Sequence, residues 1–417
     1  MTDDPALDAE PLMDAEPLMD ALCATITALS PELLELQRDL HAHPELSRGE
    51  TRTTACLAQR LRAAGVDVRE LEGTGLVADL GAESPAYRVA LRADLDALPV
   101  AERTGLPWAS TADGIAHACG HDVHVAVVLG AGLALKAHEE ALRERGIAVR
   151  LVFQPAEEVI PGGAVDVIAE GGLTGVDAMF AVHCDPSLDV GTVGLREGPL
   201  TAAADRVSVH LAGQGGHTSR PHLTEDLVFA LGKVITEVST VLSRRLDPRT
   251  AFALVWGEVH AGQAANVIPA SGTVAGTLRM VDATTWSTIG PLLAETVQQV
   301  VAPYAVTAVL EHLPGVPPVV NTPEAIEVLR RAATGTGLQP VGTPQSLGGE
   351  DFAWYLRQVP GAMARLGTRS PGGPTFDLHQ GDLVIDQAAV ACGARLLAGA
   401  VVAGAVKAAA EPRIAGW

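Results

Sequence analysis

Eight consecutive residues, His117 to His124, carry three imidazoles and one thiol (HACGHDVH) and lead straight into an apolar run. Cys119 and His121 stand two apart, so on an extended or tightly turned backbone a soft thiolate and a borderline imidazole can converge on one divalent ion. Taken singly, a buried Cys or His is more often a core thiol or a hydrogen-bonded polar group. The cluster as a whole points to metal binding.

Further carboxylates and imidazoles follow at spacings that suit the same chemistry. Asp94 and Asp96 project to the same side of a strand end, where either can orient an imidazole, although a solvated acidic loop has the same pattern. Glu157 and Glu158 are adjacent after an apolar stretch; their side chains diverge, so one can bind metal while its neighbour faces a water. His183 is expected just past another strand. Three successive strands thus end in ligands or their supports, at the edge where open α/β sheets place them. The remaining histidines have plainer readings. His41 and His43 sit beside a helix stop at Pro44 and suit capping or packing. His117 and His124 flank the cluster and suit support of ligands, while His210, His260 and His312 read as structural or exposed, and His138 and His222 as surface residues. Gly348 and Gly349 suggest a turn, so Glu350 need not act.

The elements that must position these groups can be read from patterning. A first helix is expected after Ser30 as N-cap with Pro31 at its first position, running to about residue 40, and a second over 50–64. Strands are expected at 76–80, 88–92, 148–153 and 178–182, with helices from Asp122 over 123–136 and at 165–170. From about residue 201 the order becomes strand 206–212, helix 224–245, strand 250–259, strand 272–280, helix 283–301 and strand 305–312. That βαββαβ order matches the ferredoxin-like unit and predicts an inserted domain over 201–313. Residues 21–200 and 314–417, with helices near 323–334, 351–358 and 386–406, then form one discontinuous α/β catalytic domain.

Composition narrows the function classes. At 417 residues the chain exceeds what one core usually supports. A net charge of -21, with Lys136, Lys233 and Lys407 as its lysines, disfavours nucleic acid. It also requires a local Arg for any anionic substrate. Hydrophobic content of 47% without an apolar run of spanning length argues for a large core and against a membrane partner. Five scattered Cys, and an acidic N-terminus with no basic region before an apolar segment, predict a reducing, cytoplasmic setting. Residues 1–20 contain a duplicated DAEPLM and read as an acidic, disordered leader without assigned function.

RADLDALP, HACGHDVH, FQPAEE, AVHCDP, GQGGHTSRPH, NVIP, GGEDF and DLH occur in that order over residues 36–400. Together they resemble the M20 metallopeptidase family, in its amidohydrolase branch of N-acyl amino acid, hippurate and auxin-conjugate hydrolases. The resemblance implies a zinc-peptidase-like α/β domain with a central mixed sheet, interrupted by a ferredoxin-like lid that also dimerises. It implies two divalent ions (Zn, Mn, Co or Ni), bridged by Cys119 and held terminally by His121, Glu158, His183 and His379. Glu157 corresponds to the general base and Asp96 to the acid supporting a ligand, while Asp94 stands where other branches have a metal-binding His. His217 resembles the lid histidine that polarises the scissile carbonyl, often from a partner subunit. Asn266 and Arg279 resemble residues that hold the substrate carboxylate. The expected reaction is hydrolysis of an N-acyl amino acid; a dipeptidase or carboxypeptidase is the alternative within the class, and a non-catalytic small-molecule binder the alternative outside it.

Overall fold

The computed structural model describes residues 16–410. In chain order, α1 (Glu16–Ala42) and α2 (Thr51–Ala63) precede β1 (Asp67–Glu70), β2 (Leu76–Gly81) and β3 (Tyr87–Asp94). Then come α3 (His121–Ala137), β4 (Ile147–Gln154), β5 (Ala178–Asp189) and β6 (Thr192–Leu195). The middle of the chain holds β7 (Ala203–Ala212), β8 (Gly216–His217), α4 (Leu227–Arg245), β9 (Ala253–Ala261), β10 (Val267–Ile268), β11 (Ser271–Met280), α5 (Ala283–Val301) and β12 (Thr307–Val316). It closes with α6 (Pro323–Gly335), β13 (Gln339–Gly342), β14 (Gly361–Arg369) and α7 (Ala388–Ala410).

Two compact units result. The first comprises Met1–Gly198, Val320–Pro344 and Trp354–Trp417, as far as these are described. Its eight-stranded sheet has the order β1-β2-β4-β3-β5-β14-β6-β13. The sheet is mixed: β3 runs parallel to β4 and β5, and β5 parallel to β14, while β2 meets β4 and β14 meets β6 antiparallel. Helices α1, α3, α6 and α7 join one buried apolar cluster with these strands. β1, β6 and β13 escape a reading of apolar runs because they are four residues long with mixed polarity.

Two expectations need correction here. α1 does not start at Ser30: it already includes residues 16–20, assigned to the leader by composition, and runs through Pro31. An internal proline costs a helix about 3 kcal/mol. Burial of Leu18, Met19, Leu22 and Ile26 before it, and of Leu33, Leu36 and Leu40 after it, outweighs that at roughly 1.5–3 kcal/mol each. Ser30 Oγ donates back to the Ile26 carbonyl at 2.9 Å and caps nothing. The first copy of the duplicated segment lies outside the described residues. Secondly, α7 is long and apolar enough over Ala388–Ala409 to cross a membrane, but 72% of that window is buried inside the protein, as in a core helix.

The second unit comprises Pro199–Val319 and Gln345–Ala353. Its elements follow the βαββαβ order, and its antiparallel sheet has the order β9-β11-β7-β12. α4 is capped by Asp226, whose carboxylate accepts from Phe229 N, and α5 by Asp282, which accepts from Thr285 N. The Gly348–Phe352 stretch, expected in the catalytic domain, packs in this unit instead. Ala202 N donates to the Gly348 carbonyl at 3.2 Å, Ser346 N to Leu200 at 2.9 Å, and the Arg279 guanidinium to Leu347 at 2.5 Å. Only Ala353–Leu356 of the helix expected over 351–358 forms.

Candidate metal centre

Parallel pairing of β3 with β4 sets Asp94 opposite Gln154, so the chain leaves both strands at one edge of the sheet. Asp96 follows the first strand, and Glu157 and Glu158 the second. His183 lies inside β5 and not past its end, because that strand continues to Asp189. α3 begins at His121, directly after Gly120 at φ 83°. A Cβ on Gly120 would stand 2.8 Å from both Cys184 Sγ and Ile385 Cδ1, so only glycine lets Cys119 and His121 turn toward one point there.

The side chains converge. Cys119 Sγ lies 3.5 Å from His183 Nε2. Ligand atoms of Cys119, His121 and His183, of Cys119, Glu158 and His379, and of His121, Glu157 and Glu158 each fall within 4.8 Å of one another. Ring tautomers follow from the partners. His121 Nδ1 donates to the Asp96 carbonyl at 2.8 Å, and His183 Nδ1 to the Cys184 carbonyl at 2.8 Å. When neutral, both rings therefore turn an Nε2 lone pair inward. His121 Nε2 and Glu158 Oε1 are buried without a hydrogen-bond partner. Glu158 Oε1 has His379 Nε2 at 3.3 Å and His121 Nε2 at 3.8 Å. His379 itself sits at φ 60°, and its N–H donates to the Ala118 carbonyl at 2.7 Å. Buried lone pairs that face one another are costly unless a cation lies among them, and the thiol, imidazole and carboxylate set suits a borderline divalent ion. The residues present therefore fit the expected ions.

Electrostatics divide the set. Burial opposes charge on His121, but Asp94, Cys119 and Asp96 outweigh it and hold the ring well above the usual histidine range, so a bound cation would displace its proton. Burial pushes the Cys119 thiol up to about 12, so it becomes a thiolate only beside a cation. His183 is held well below the usual histidine range by burial and by Arg365. The Glu158 carboxylate beside it raises His379, against its partial burial.

Behind the ligands, every polar contact fixes an orientation. Asp96 takes Glu157 N at 3.0 Å on Oδ1, and Glu158 N at 2.9 Å with Ser47 Oγ at 2.6 Å on Oδ2. Asp94 receives Arg92 Nη1 at 2.6 Å and His124 Nδ1 at 2.6 Å, while Cys184 N donates to His124 Nε2 at 2.9 Å. Both nitrogens of His124 are thus engaged, so the proximity of Asp94, His121 and His124 does not make a second ion site. Arg92 Nε and Tyr355 Oη both donate to Gln154 Oε1, at 2.9 and 3.0 Å.

A buried charged network also lies here, where capping or packing was expected for His41. His41 bridges Asp122 Oδ2 at 2.9 Å and Glu102 Oε1 at 3.2 Å, and Gln37 Nε2 also donates to Asp122. Burial opposes charge on His41, but Asp122 and Glu102 outweigh it and raise the imidazole to about 9. The signal that could have revealed it is Gln37 and His41, four apart on the otherwise apolar face of α1. His117, by contrast, is driven down to about 4 by burial.

The other candidates belong to the second unit. His217 pairs with Val267 across β8 and β10, and Thr218 N donates to the Asn266 carbonyl at 3.2 Å, which puts His217 and Asn266 at one two-stranded sheet. Ser219 N and Oγ approach His217 Nδ1 at 3.1 and 2.8 Å. Since the backbone N–H can only donate, the neutral ring carries its proton on Nε2. Arg279 is on β11, opposite Ala204 of β7.

Comparison with known proteins places this arrangement. The sequence profile of peptidase family M20/M25/M40 matches residues 90–403. N-acetyl-L-cysteine deacetylase of Bacillus subtilis is 38% identical over 88% of this chain and 86% of its own length. A Rhodococcus jostii protein that carries a glutamate–cysteine ligase name is 50% identical over 88% of this chain, which spans only 46% of that relative's length. The crystal structure of Bacillus subtilis YXEP, a dinuclear metal-binding peptidase from the M20 family, superposes with a TM-score of 0.79 at 33% identity, covering 90% of this chain and 98% of that one.

Proposed function

Because the chain belongs to peptidase family M20/M25/M40, and is accordingly a metal-dependent hydrolase, we propose that it splits N-acyl amino acids into a carboxylic acid and a free amino acid. The observation that carries the metal half of this reading is the pair of orphaned buried atoms, His121 Nε2 and Glu158 Oε1, facing Cys119, His183 and His379. The substrate half is supported by the similarity to an N-acetyl-L-cysteine deacetylase over most of both chains.

Cys119, as a thiolate, with His121, Glu158, His183 and His379 would hold two divalent ions (Zn, Mn, Co or Ni). When bound, such ions polarise a carbonyl and make water acidic enough to ionise near neutral pH. Glu157, whose backbone N–H is fixed by Asp96, would take the proton of the attacking water and return it to the leaving amine. His217 would donate its Nε2–H to the developing oxyanion, and Arg279 with Asn266 would hold the α-carboxylate.

The βαββαβ order of the second unit supports a ferredoxin-like lid. Its exposed Val255 and Val259 on edge strand β9, with Val228 and Phe229 on α4, support pairing with a second copy of the chain. All five cysteines are free, which supports a reducing compartment such as the cytoplasm.

The test is metal analysis together with turnover of a panel of N-acyl amino acids and dipeptides by wild type and Glu157→Gln. The expected result is two ions per chain in both proteins, with hydrolysis of N-acyl amino acids lost in the variant by about 10²–10⁴-fold. Preference for dipeptides would replace the substrate assignment. Binding without turnover in wild type would make the chain a binding protein.

A further inference from the structure

The segment His43-Pro-Glu-Leu-Ser-Arg-Gly-Glu50, read from sequence as running from a helix stop at Pro44 to the start of the next helix at residue 50, does something more specific in the structure. Glu50 is completely buried. Its Oε1 accepts from Ala156 N at 2.8 Å and its Oε2 from Thr74 Oγ1 at 2.6 Å. Three successive backbone N–H groups, those of Ala156, Glu157 and Glu158, are therefore captured by two buried carboxylates, Glu50 for the first and Asp96 for the other two.

Ala156 is also where the chain turns. It sits at φ 54°, a left-handed conformation unfavourable for a residue with a Cβ, and its carbonyl accepts from Gly163 N at 2.9 Å. The turn is closed in from outside as well, since a Cβ on Gly75 would stand 2.6 Å from Pro155 Cδ. Glu50 is itself held in place: it precedes the first residue of α2, and its carbonyl accepts from Thr54 N at 2.9 Å and Thr54 Oγ1 at 2.6 Å. Thr54 Oγ1 in turn accepts from Gly75 N at 2.8 Å.

We propose that Glu50 is a positioning residue: by holding Ala156 in its left-handed turn it aims Glu157 and Glu158, the general base and a metal ligand of the reading above, on which this inference rests. An apolar residue at 50 would leave a buried Ala156 N–H without an acceptor and the strained turn without its tether. The two glutamates would then lose orientation, although neither touches Glu50.

The test uses the full chain and compares wild type, Glu157→Gln, Glu50→Ala and Glu50→Gln. Three quantities are read: kcat and KM on the best N-acyl amino acid, affinity for Zn²⁺ alone by competition with a chromophoric chelator, and thermal stability. Glu50→Ala should lower kcat by about 100-fold with KM changed by less than about threefold, since misplacement of a reacting group by about an ångström costs that much. Its Zn²⁺ affinity should fall by about tenfold, as for loss of a group supporting a ligand. Glu50→Gln, which keeps an oxygen for Ala156 N–H, should recover kcat to within about tenfold of wild type. A folded Glu50→Ala protein with wild-type kcat and wild-type Zn²⁺ affinity overturns the proposal and leaves Glu50 a purely structural group. Should Glu50→Ala not fold, Glu50→Asp carries the test, because it keeps the buried charge but withdraws the oxygen from Ala156 by one methylene. At least about tenfold loss of kcat then supports the proposal, and wild-type kcat and Zn²⁺ affinity overturn it. If wild type itself hydrolyses nothing, the reaction assignment fails, while the Zn²⁺ titrations still decide whether Glu50 places Glu158.

Discussion

The stretch from His117 to His124 and the stretch from His217 to Leu223 both present imidazoles, but the first is buried at every residue whereas the second is exposed throughout. In the buried stretch, His121 and His124 are oriented by groups from distant parts of the chain: the Asp96 carbonyl, the Asp94 carboxylate and Cys184 N. In the exposed stretch, His217 is oriented by Ser219, two residues away. Ligands that must meet around a small ion need fixed geometry, and burial with hydrogen bonding supplies it. A group that meets a substrate only during turnover needs its tautomer set and little else.

That contrast can be broken at either side. The largest loss is expected from Glu157→Gln, which removes the proposed base while leaving the ligands in place. His217→Ala should lower kcat by about 10²–10³-fold, the usual loss of one oxyanion donor, with no change in bound metal. A variant that loses metal would show that the exposed stretch also serves the centre and that the division of labour is wrong.

A smaller effect probes the network beneath the buried stretch. His41 is raised to about 9 in the folded chain from an ordinary value near 6.5, so between these values the native state holds a proton that the unfolded chain has released. Its contribution is therefore fully present below about pH 6.5 and is lost as pH rises through about 9. On the order of 3 kcal/mol is at stake. Unfolding of wild type from pH 6 to 10 should show this decline, and His41→Gln should flatten it. Equal slopes in the two proteins would remove His41 from the network.

The sequence made the ligand cluster legible because its density is local: a thiol and an imidazole two apart need no fold to be noticed. The alternating patterning of the middle segment was legible for the same reason, and its element order recurs in the second unit. The supports were not legible, because they depend on pairings across long stretches of chain. Glu50 meets Ala156 106 residues later, and Asp96 meets Glu157 61 residues later. Pro31 misled for a physical reason as well: local propensity stops a helix there, but an apolar face continuing on both sides of the proline carries α1 through. Gly348–Phe352 was assigned to the wrong unit because the partners of residues 346–348 that lead into it, Leu200, Ala202 and Arg279, lie far back in the sequence.

The measurement that bears most directly on the centre is a Co²⁺ titration of the metal-stripped full-length chain, followed by optical spectroscopy and compared with Cys119→Ser. If Cys119 and the four other proposed ligands hold two ions, wild type should take up two equivalents and develop a sulfur-to-cobalt charge-transfer band that the variant lacks. An unchanged band in Cys119→Ser, or no uptake by wild type, would contradict a centre built on Cys119, His121, Glu158, His183 and His379.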